Sequence, residues 1–285
     1  MPPRPAQGSG SGFCGASTAK AVTIVGIVNV TPDSFHDGGR YTSLEAALAH
    51  ALRLCEEGAD LLDIGGESTR PGAAFVTEAE ERRRVLPVIE ALVKHTETPL
   101  SVDTRRTALA RESLERGARV INAVAGLRDP ELARVCAEYD ALLILNHMRG
   151  EPRTMQDAPY YDDVVGDVKR ELLTQAAQAQ ELGLARERIW LDPGLGFGKD
   201  SLRHNLPLIA RLGELVETGY RVMVGPSRKS FLGEITGAAV EDRLPGTLAA
   251  VSACVLAGAS AVRVHDVAAA RETVRVAQAI RGAGA

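Results

Sequence analysis

Val25-Gly26-Ile27-Val28-Asn29-Val30-Thr31-Pro32-Asp33-Ser34-Phe35 opens as an apolar, β-branched run and closes as a small polar loop. The run reads as a strand buried on both faces. At Asn29 the sequence turns to an amide, two hydroxyls and a carboxylate, and Pro32 stops the strand. Parallel α/β folds gather ligands at the carboxyl ends of their strands. The stretch therefore predicts a parallel sheet with a pocket at that end.

Seven further apolar runs follow, at 61–64, 100–102, 120–121, 141–145, 189–191, 221–224 and 261–264, and most precede a segment of helical period. Leu44, Ala47, Leu48, Ala51 and Cys55 recur at three- and four-residue steps. Thr42 with Glu45 and Thr77 with Glu80 form capping boxes, and Asp129-Pro130 marks another helix start. Gly58, Gly117 and Gly258 each sit between a helix and a strand as left-handed caps, with Gly183 and Gly219 in similar places. Eight strands alternating with helices predict a (β/α)8 TIM barrel, with a doubly wound open sheet as the alternative. Residues 21–285 read as a single domain and residues 1–20, rich in Pro, Gly and Ser, as a flexible tail.

Composition narrows the function classes. A net charge of −4 argues against nucleic acid or an anionic membrane as the main partner. No run is long enough to span a bilayer. Cys14, Cys55, Cys136 and Cys254 lie far apart with no CxxC spacing, which suits small buried hydrophobes in a reducing, cytoplasmic setting.

The residues at the strand ends carry the chemistry. In order they are Asn29; Asp63 with the loop Gly65–Gly72; Asp103; Asn122; His147 and Met148; Asp192; Ser227, Arg228 and Lys229; and Arg263, His265 and Asp266. A barrel would converge all of them on one rim. Asp103, Asn122 and Asp192 are acceptors suited to a flat, N–H-rich heterocycle. Arg263, His265, Arg70 and Lys229 suit phosphate or carboxylate, and Asn29 and Asp33 offer hard oxygens for Mg2+. The implied ligands are such a heterocycle and an anionic, phosphorylated group.

Some residues keep two readings. Lys229 is either a plain donor or a Schiff-base lysine whose pKa the adjacent Arg228 would lower. Nothing else in the sequence implies a carbonyl substrate. His147 reads as an orienting hydrogen-bond partner, and Asp63 as structural, bonding loop amides beneath the site. His36, His50, His95 and His204 read as ordinary surface or helix residues. Gly194–Lys199 lacks full Walker spacing and reads as a mobile loop over the pocket.

Seven motifs in order, GIVNVTPDSFHDGG, LLDIGGESTRPGA, SVDT, NHMRG, LDPGLGFGK, VGPSRKSF and RVHDV, make residues 22–280 resemble the dihydropteroate synthase family of folate biosynthesis. That family joins p-aminobenzoate to 6-hydroxymethyl-7,8-dihydropterin diphosphate, releases pyrophosphate with Mg2+ present, and is the target of sulfonamides. The resemblance implies a pterin pocket of Asp103, Asn122, Met148, Asp192 and Lys229. It implies diphosphate contacts from Asn29, Thr69, Arg263 and His265, and Mg2+ on Asn29 and Asp33. The p-aminobenzoate site would use Phe35, Arg70, Pro71, Phe197 and Ser227. Catalysis would rest on Asp103, Lys229, Arg263 and His265, in a homodimer. Ala123 stands where the family usually has Asp, Asn146 where Met is common, and Leu195 where Phe is frequent. A pterin-dependent methyltransferase and a silent pterin-binding paralogue are the competing readings. The TPDSF and ESTRPG loops speak against methyl transfer, which needs no diphosphate site.

Overall fold

The structure is a computed structural model, and it describes residues 21–30, 40–68, 76–151 and 154–284. Eight strands alternate with helices: β1 (Thr23–Asn29), β2 (Leu61–Gly65), β3 (Leu100–Asp103), β4 (Val120–Ala123), β5 (Leu142–Asn146), β6 (Ile189–Asp192), β7 (Arg221–Val224) and β8 (Ala261–Val264). Each strand pairs in parallel with the next, and β8 pairs with β1. The sheet is closed, so the open doubly wound alternative falls. All eight strands lie at the runs the sequence marks.

The helices are α1 (Arg40–Glu56), α2 (Glu78–Leu92), α3 (Thr107–Glu115), α4 (Glu131–Glu138), α5 (Val164–Glu181), α6 (Asn205–Ala210), α7 (Gly213–Val216), α8 (Ser230–Thr236), α9 (Leu244–Leu256) and α10 (Val267–Ala283). Thr77 caps α2 as expected, its hydroxyl accepting from Glu80 N at 3.3 Å. Asp129 accepts from Glu131 N at 3.0 Å at the start of α4. The expected start of α1 is corrected, because that helix begins at Arg40 and Thr42 lies within its first turn. Gly58, Gly117, Gly183, Gly219 and Gly258 all take positive φ where helix returns to strand, the backbone state that glycine adopts without a Cβ penalty.

Strand side chains alternate with period two, so each barrel strand has an inward and an outward set. The outward set packs with the helices into one large core, in which Cys136 and Cys254 are buried. The inward set forms a second, small cluster of Val25, Leu61, Val120, Leu142, Ile144, Trp190, Met223 and Ala261. At the amino-terminal end the Arg221 guanidinium lies over the Trp190 ring, 4.1 Å from its centroid, and bonds Thr23. At the other end the same inward parity passes from hydrocarbon to polar groups, at Asn29, Asp63, Asp103, Asn122, Asn146, Asp192 and Arg263. Register sets several of these side by side: Gly65 opposite Asp103, Asp103 opposite Asn122, and Asn146 opposite Asp192.

Candidate active site

The polar end of the barrel opens into a cavity of about 490 Å³. Asn29, Asp103, Asn122, Asp192, Phe197, Ser227, Lys229, Arg263 and His265 line it together. Met148, half-buried on the loop after β5, is not among its lining residues. Asp33, Phe35, Thr69, Arg70 and Pro71 lie outside the described residues, as does the 1–20 tail.

At the floor, the Asp63 carboxylate accepts from Ser101 Oγ at 2.6 Å, Asn122 Nδ2 at 3.0 Å and Arg263 Nε at 2.6 Å. This corrects the expectation that Asp63 bonds loop amides: its inward parity on β2 aims it at side chains of the site. Arg263 reaches Asp103 as well, Nη2 to Oδ2 at 2.9 Å. One guanidinium thus bridges two carboxylates whose separate charges would be costly to bury.

Two acceptors on this floor have no partner among the described residues, Asp103 Oδ1 and Asn122 Oδ1. The bond from Nδ2 to Asp63 fixes the Asn122 amide so that its oxygen is the free atom. A buried acceptor without a donor costs about 1–3 kcal/mol, a cost that an N–H-bearing ligand would remove. Asp192 adds a third acceptor; its Oδ1 takes the Gly194 N–H at 2.7 Å. Burial pushes the Asp192 carboxyl up to about 6, against the Gly194 amide and the nearby Lys229 and Arg263 cations. Burial likewise raises the Asp103 carboxyl, with Asp63 adding to the rise and Arg263 opposing it.

Lys229 lies with Nζ 4.3 Å from the centroid of the Phe197 ring. Burial first, then Arg263, lowers its ammonium to about 8, while Asp192 and Asp103 hold it up. Arg228 has no share in this. Its backbone is left-handed (φ 55°), and its guanidinium turns away to pair with Asp266 through two bonds of 2.7 and 3.2 Å. Beside that pair, Ser227 Oγ meets His265 Nδ1 at 2.9 Å. Consecutive residues of the β7 and β8 loops are therefore tied together, with Lys229 left facing the cavity.

The Gly194–Lys199 segment is hydrogen-bonded to side chains from several other segments. Gly196 N donates to Asn205 Oδ1 at 2.8 Å, Gln156 Nε2 to Gly196 O at 2.6 Å, and the Tyr161 hydroxyl to Gly198 O at 2.9 Å. Lys199 is buried behind it and bonds His147 Nδ1 at 2.9 Å. His147 is the orienting group expected, linked through Nε2 to Glu171 at 2.8 Å. His50 is a residue of helix α1, half-buried and within 3.2 Å of Ile27 O. Glu67 and Ser68, from the Gly65–Gly72 loop singled out in the sequence, also line the cavity, as do Gln156, Asn146 and Arg243, to which the sequence reading gave no site role. Asn146 follows the inward parity of β5, and that signal could have found it; Gln156 lies in an aperiodic loop that carries none.

Residues 25–265 match the family model described as pterin binding enzyme. The chain belongs to the pterin-binding enzyme family. Within it, the chain is 45% identical over 256 residues to the dihydropteroate synthase of Escherichia coli, 90% of each chain being covered. It is 48% identical over 264 residues to that of Neisseria meningitidis serogroup B, covering 90% of this chain and 92% of the relative. The Yersinia pestis dihydropteroate synthase solved with a sulfonamide drug superposes with a TM-score of 0.87 at 41% identity, over 93% of this chain and 96% of the other. The Xanthomonas albilineans enzyme in complex with 7,8-dihydropteroate does so with 0.84 at 45% identity, over 93% and 95%.

Proposed function

We propose that this chain is a dihydropteroate synthase, joining the CH2 of 6-hydroxymethyl-7,8-dihydropterin diphosphate to the amine of p-aminobenzoate with release of pyrophosphate. The observation that carries the reading is the pair of unpartnered acceptors, Asp103 Oδ1 and Asn122 Oδ1, on the cavity floor beside Arg263. A pterin edge presents adjacent N–H donors in the plane such acceptors require. Asp192, with one oxygen held by Gly194 N, extends the same acceptor row.

In the proposed reaction the C–O bond to the diphosphate breaks and positive charge develops on the pterin methylene. Asp103 and Asp192 face that charge through the ring, while Arg263, His265 and Lys229 supply cations and donors for the departing anion. Electrostatic stabilisation of this kind is commonly the largest single catalytic effect. The arylamine nitrogen then forms the new C–N bond and loses its proton to solvent. Such a weak base needs placement beside the carbon more than activation, and Phe197 at 4.3 Å from Lys229 borders the space it would occupy.

Mg2+ would neutralise the leaving diphosphate. Asn29 lines the cavity, and its side-chain oxygen together with Asp33 would hold such a cation, which leans on substrate phosphates and water for its other ligands. Asp33, Thr69, Arg70, Pro71 and Phe35 retain the roles the family resemblance implies for them.

We place the enzyme in the cytoplasm as a homodimer. Cys55, Cys136 and Cys254 are free thiols, and Val276 and Ile280 stand exposed one helical turn apart on α10. Sedimentation equilibrium would return twice the chain mass. The catalytic test is a coupled pyrophosphate assay with the two substrates and Mg2+. Pyrophosphate should appear in step with dihydropteroate and only with both substrates present. Tight pterin binding with no pyrophosphate would instead favour a silent binding protein.

A further inference from the structure

Lys199 is among the largest fully buried side chains of the described residues, and among these no carboxylate lies within hydrogen-bond distance of its Nζ. Its Nζ makes three bonds: to His147 Nδ1 at 2.9 Å, to His147 O at 3.3 Å and to Phe197 O at 3.0 Å. The two carbonyls can only accept. On the far side of the imidazole, Nε2 meets Glu171 Oε2 at 2.8 Å, and Glu171 also pairs with Arg149. Glu171 is held down to about 2 by the His147 and Arg149 bonds, with burial opposing. A carboxylate of that kind accepts, so Nε2 must carry a proton. With Nε2–H given to Glu171, Nδ1 is left as the acceptor for a Lys199 N–H, which places His147 as a neutral imidazole between Glu171 and Lys199.

Burial pushes the Lys199 ammonium well below its ordinary value, and burial with Lys199 lowers His147 to about 4. A methionine would fill this space with no such penalty. What the lysine gains is geometry. Its Nζ bonds both the His147 carbonyl, just beyond β5, and the Phe197 carbonyl on the loop after β6. The Phe197 ring in turn packs against Lys229 in the cavity wall.

We infer that Lys199 is a positioning residue that anchors the 194–198 loop from behind and so sets the Phe197 ring for the aromatic amine substrate, leaving the pterin floor to Asp103, Asn122 and Asp192. The assignment rests on the transferase reading for the identity of that substrate. It does not rest on it for the anchoring of the loop, which is independent of turnover.

The test compares wild-type enzyme with Lys199→Met. Hydrogen exchange of the amides across 194–198 should speed up in the variant by about an order of magnitude or more, as lost local hydrogen bonding exposes that segment to opening. The KM for p-aminobenzoate should rise about tenfold, while the dissociation constant for 6-hydroxymethylpterin stays within about twofold. Unchanged exchange, or equal losses for both ligands, overturns the assignment. Should Lys199→Met not accumulate folded, Lys199→Gln, one bond shorter and so expected to lose at least one of the two carbonyls, should still speed exchange across 194–198, and unchanged exchange in it overturns the assignment. A wild-type enzyme that releases no pyrophosphate overturns the transferase reading instead, and the exchange measurement then decides Lys199 alone.

Discussion

Arg263 Nε donates to Asp63 Oδ2 at 2.6 Å, joining strands β8 and β2 across the floor of the barrel. The same oxygen holds Asn122, so one carboxylate orients a residue from the acceptor row and one from the cationic wall. Asp63→Asn can keep its oxygen on Asn122 and Arg263 and turn its N–H2 to the Ser101 hydroxyl, but it removes the negative charge that offsets the buried Arg263 guanidinium. It should cost on the order of 3 kcal/mol of stability, the scale for breaking a buried, hydrogen-bonded pair. Urea unfolding measures this, and a change under about 0.5 kcal/mol, the usual size at an uncoupled site, would show that the network is dispensable.

Arg263→Ala strands both Asp63 and Asp103. It should weaken diphosphate binding by about 100-fold or more, the scale of a lost charge-assisted contact. Unphosphorylated pterin should lose less, because only the orientation of Asp103 changes for it. Isothermal titration with the two ligands distinguishes the outcomes, and equal losses would remove Arg263 from the diphosphate site.

Asp192 sets a pH dependence. Its carboxyl stands at about 6 in the folded enzyme, against ~3.9 in an unfolded chain. Between those values the native state holds the extra proton, so this group's contribution to stability falls as pH rises from ~4 to ~6 and is flat above. Ligand binding runs the opposite way, because N–H donors of the pterin favour the ionised form. Pterin affinity should therefore be highest above pH ~6 and fall up to tenfold per unit below it. Fluorescence titrations between pH 5 and 8 read this directly, and Asp192→Asn should flatten the profile while lowering affinity.

Gly194 takes a left-handed φ of 67°, and a Cβ there would collide with the His147 carbonyl oxygen. Gly194→Ala should displace the loop, free Asp192 from its amide bond and cost about 2 kcal/mol or more. Thermal unfolding with parallel pterin titration checks both effects.

The strands were legible because a buried parallel strand writes itself as a short β-branched run, and five of the helix returns carry a glycine at positive φ, at 58, 117, 183, 219 and 258. The strand-end residues were legible for the same reason: polarity right after hydrocarbon has few other uses. Asp63 was misjudged because it sits inside an apolar run, and only the closed register shows that its parity aims it inward, opposite Ile27. Arg228 was misread as a neighbour of Lys229 in space because it is one in sequence. Its guanidinium is instead engaged by the Asp266 carboxylate. The tethers of the Gly194–Lys199 loop, Gln156, Tyr161 and Asn205, were not legible because they come from other segments. Ala123 costs Asn122 nothing visible, because Asp63 supplies its support.

The most direct test is a crystal structure of the enzyme with 6-hydroxymethyl-7,8-dihydropterin diphosphate. The pterin N–H groups should bond Asp103 Oδ1, Asn122 Oδ1 and Asp192, with the diphosphate against Arg263 and His265. A pterin bound elsewhere, or one leaving Asp103 Oδ1 and Asn122 Oδ1 without donors, would contradict the account.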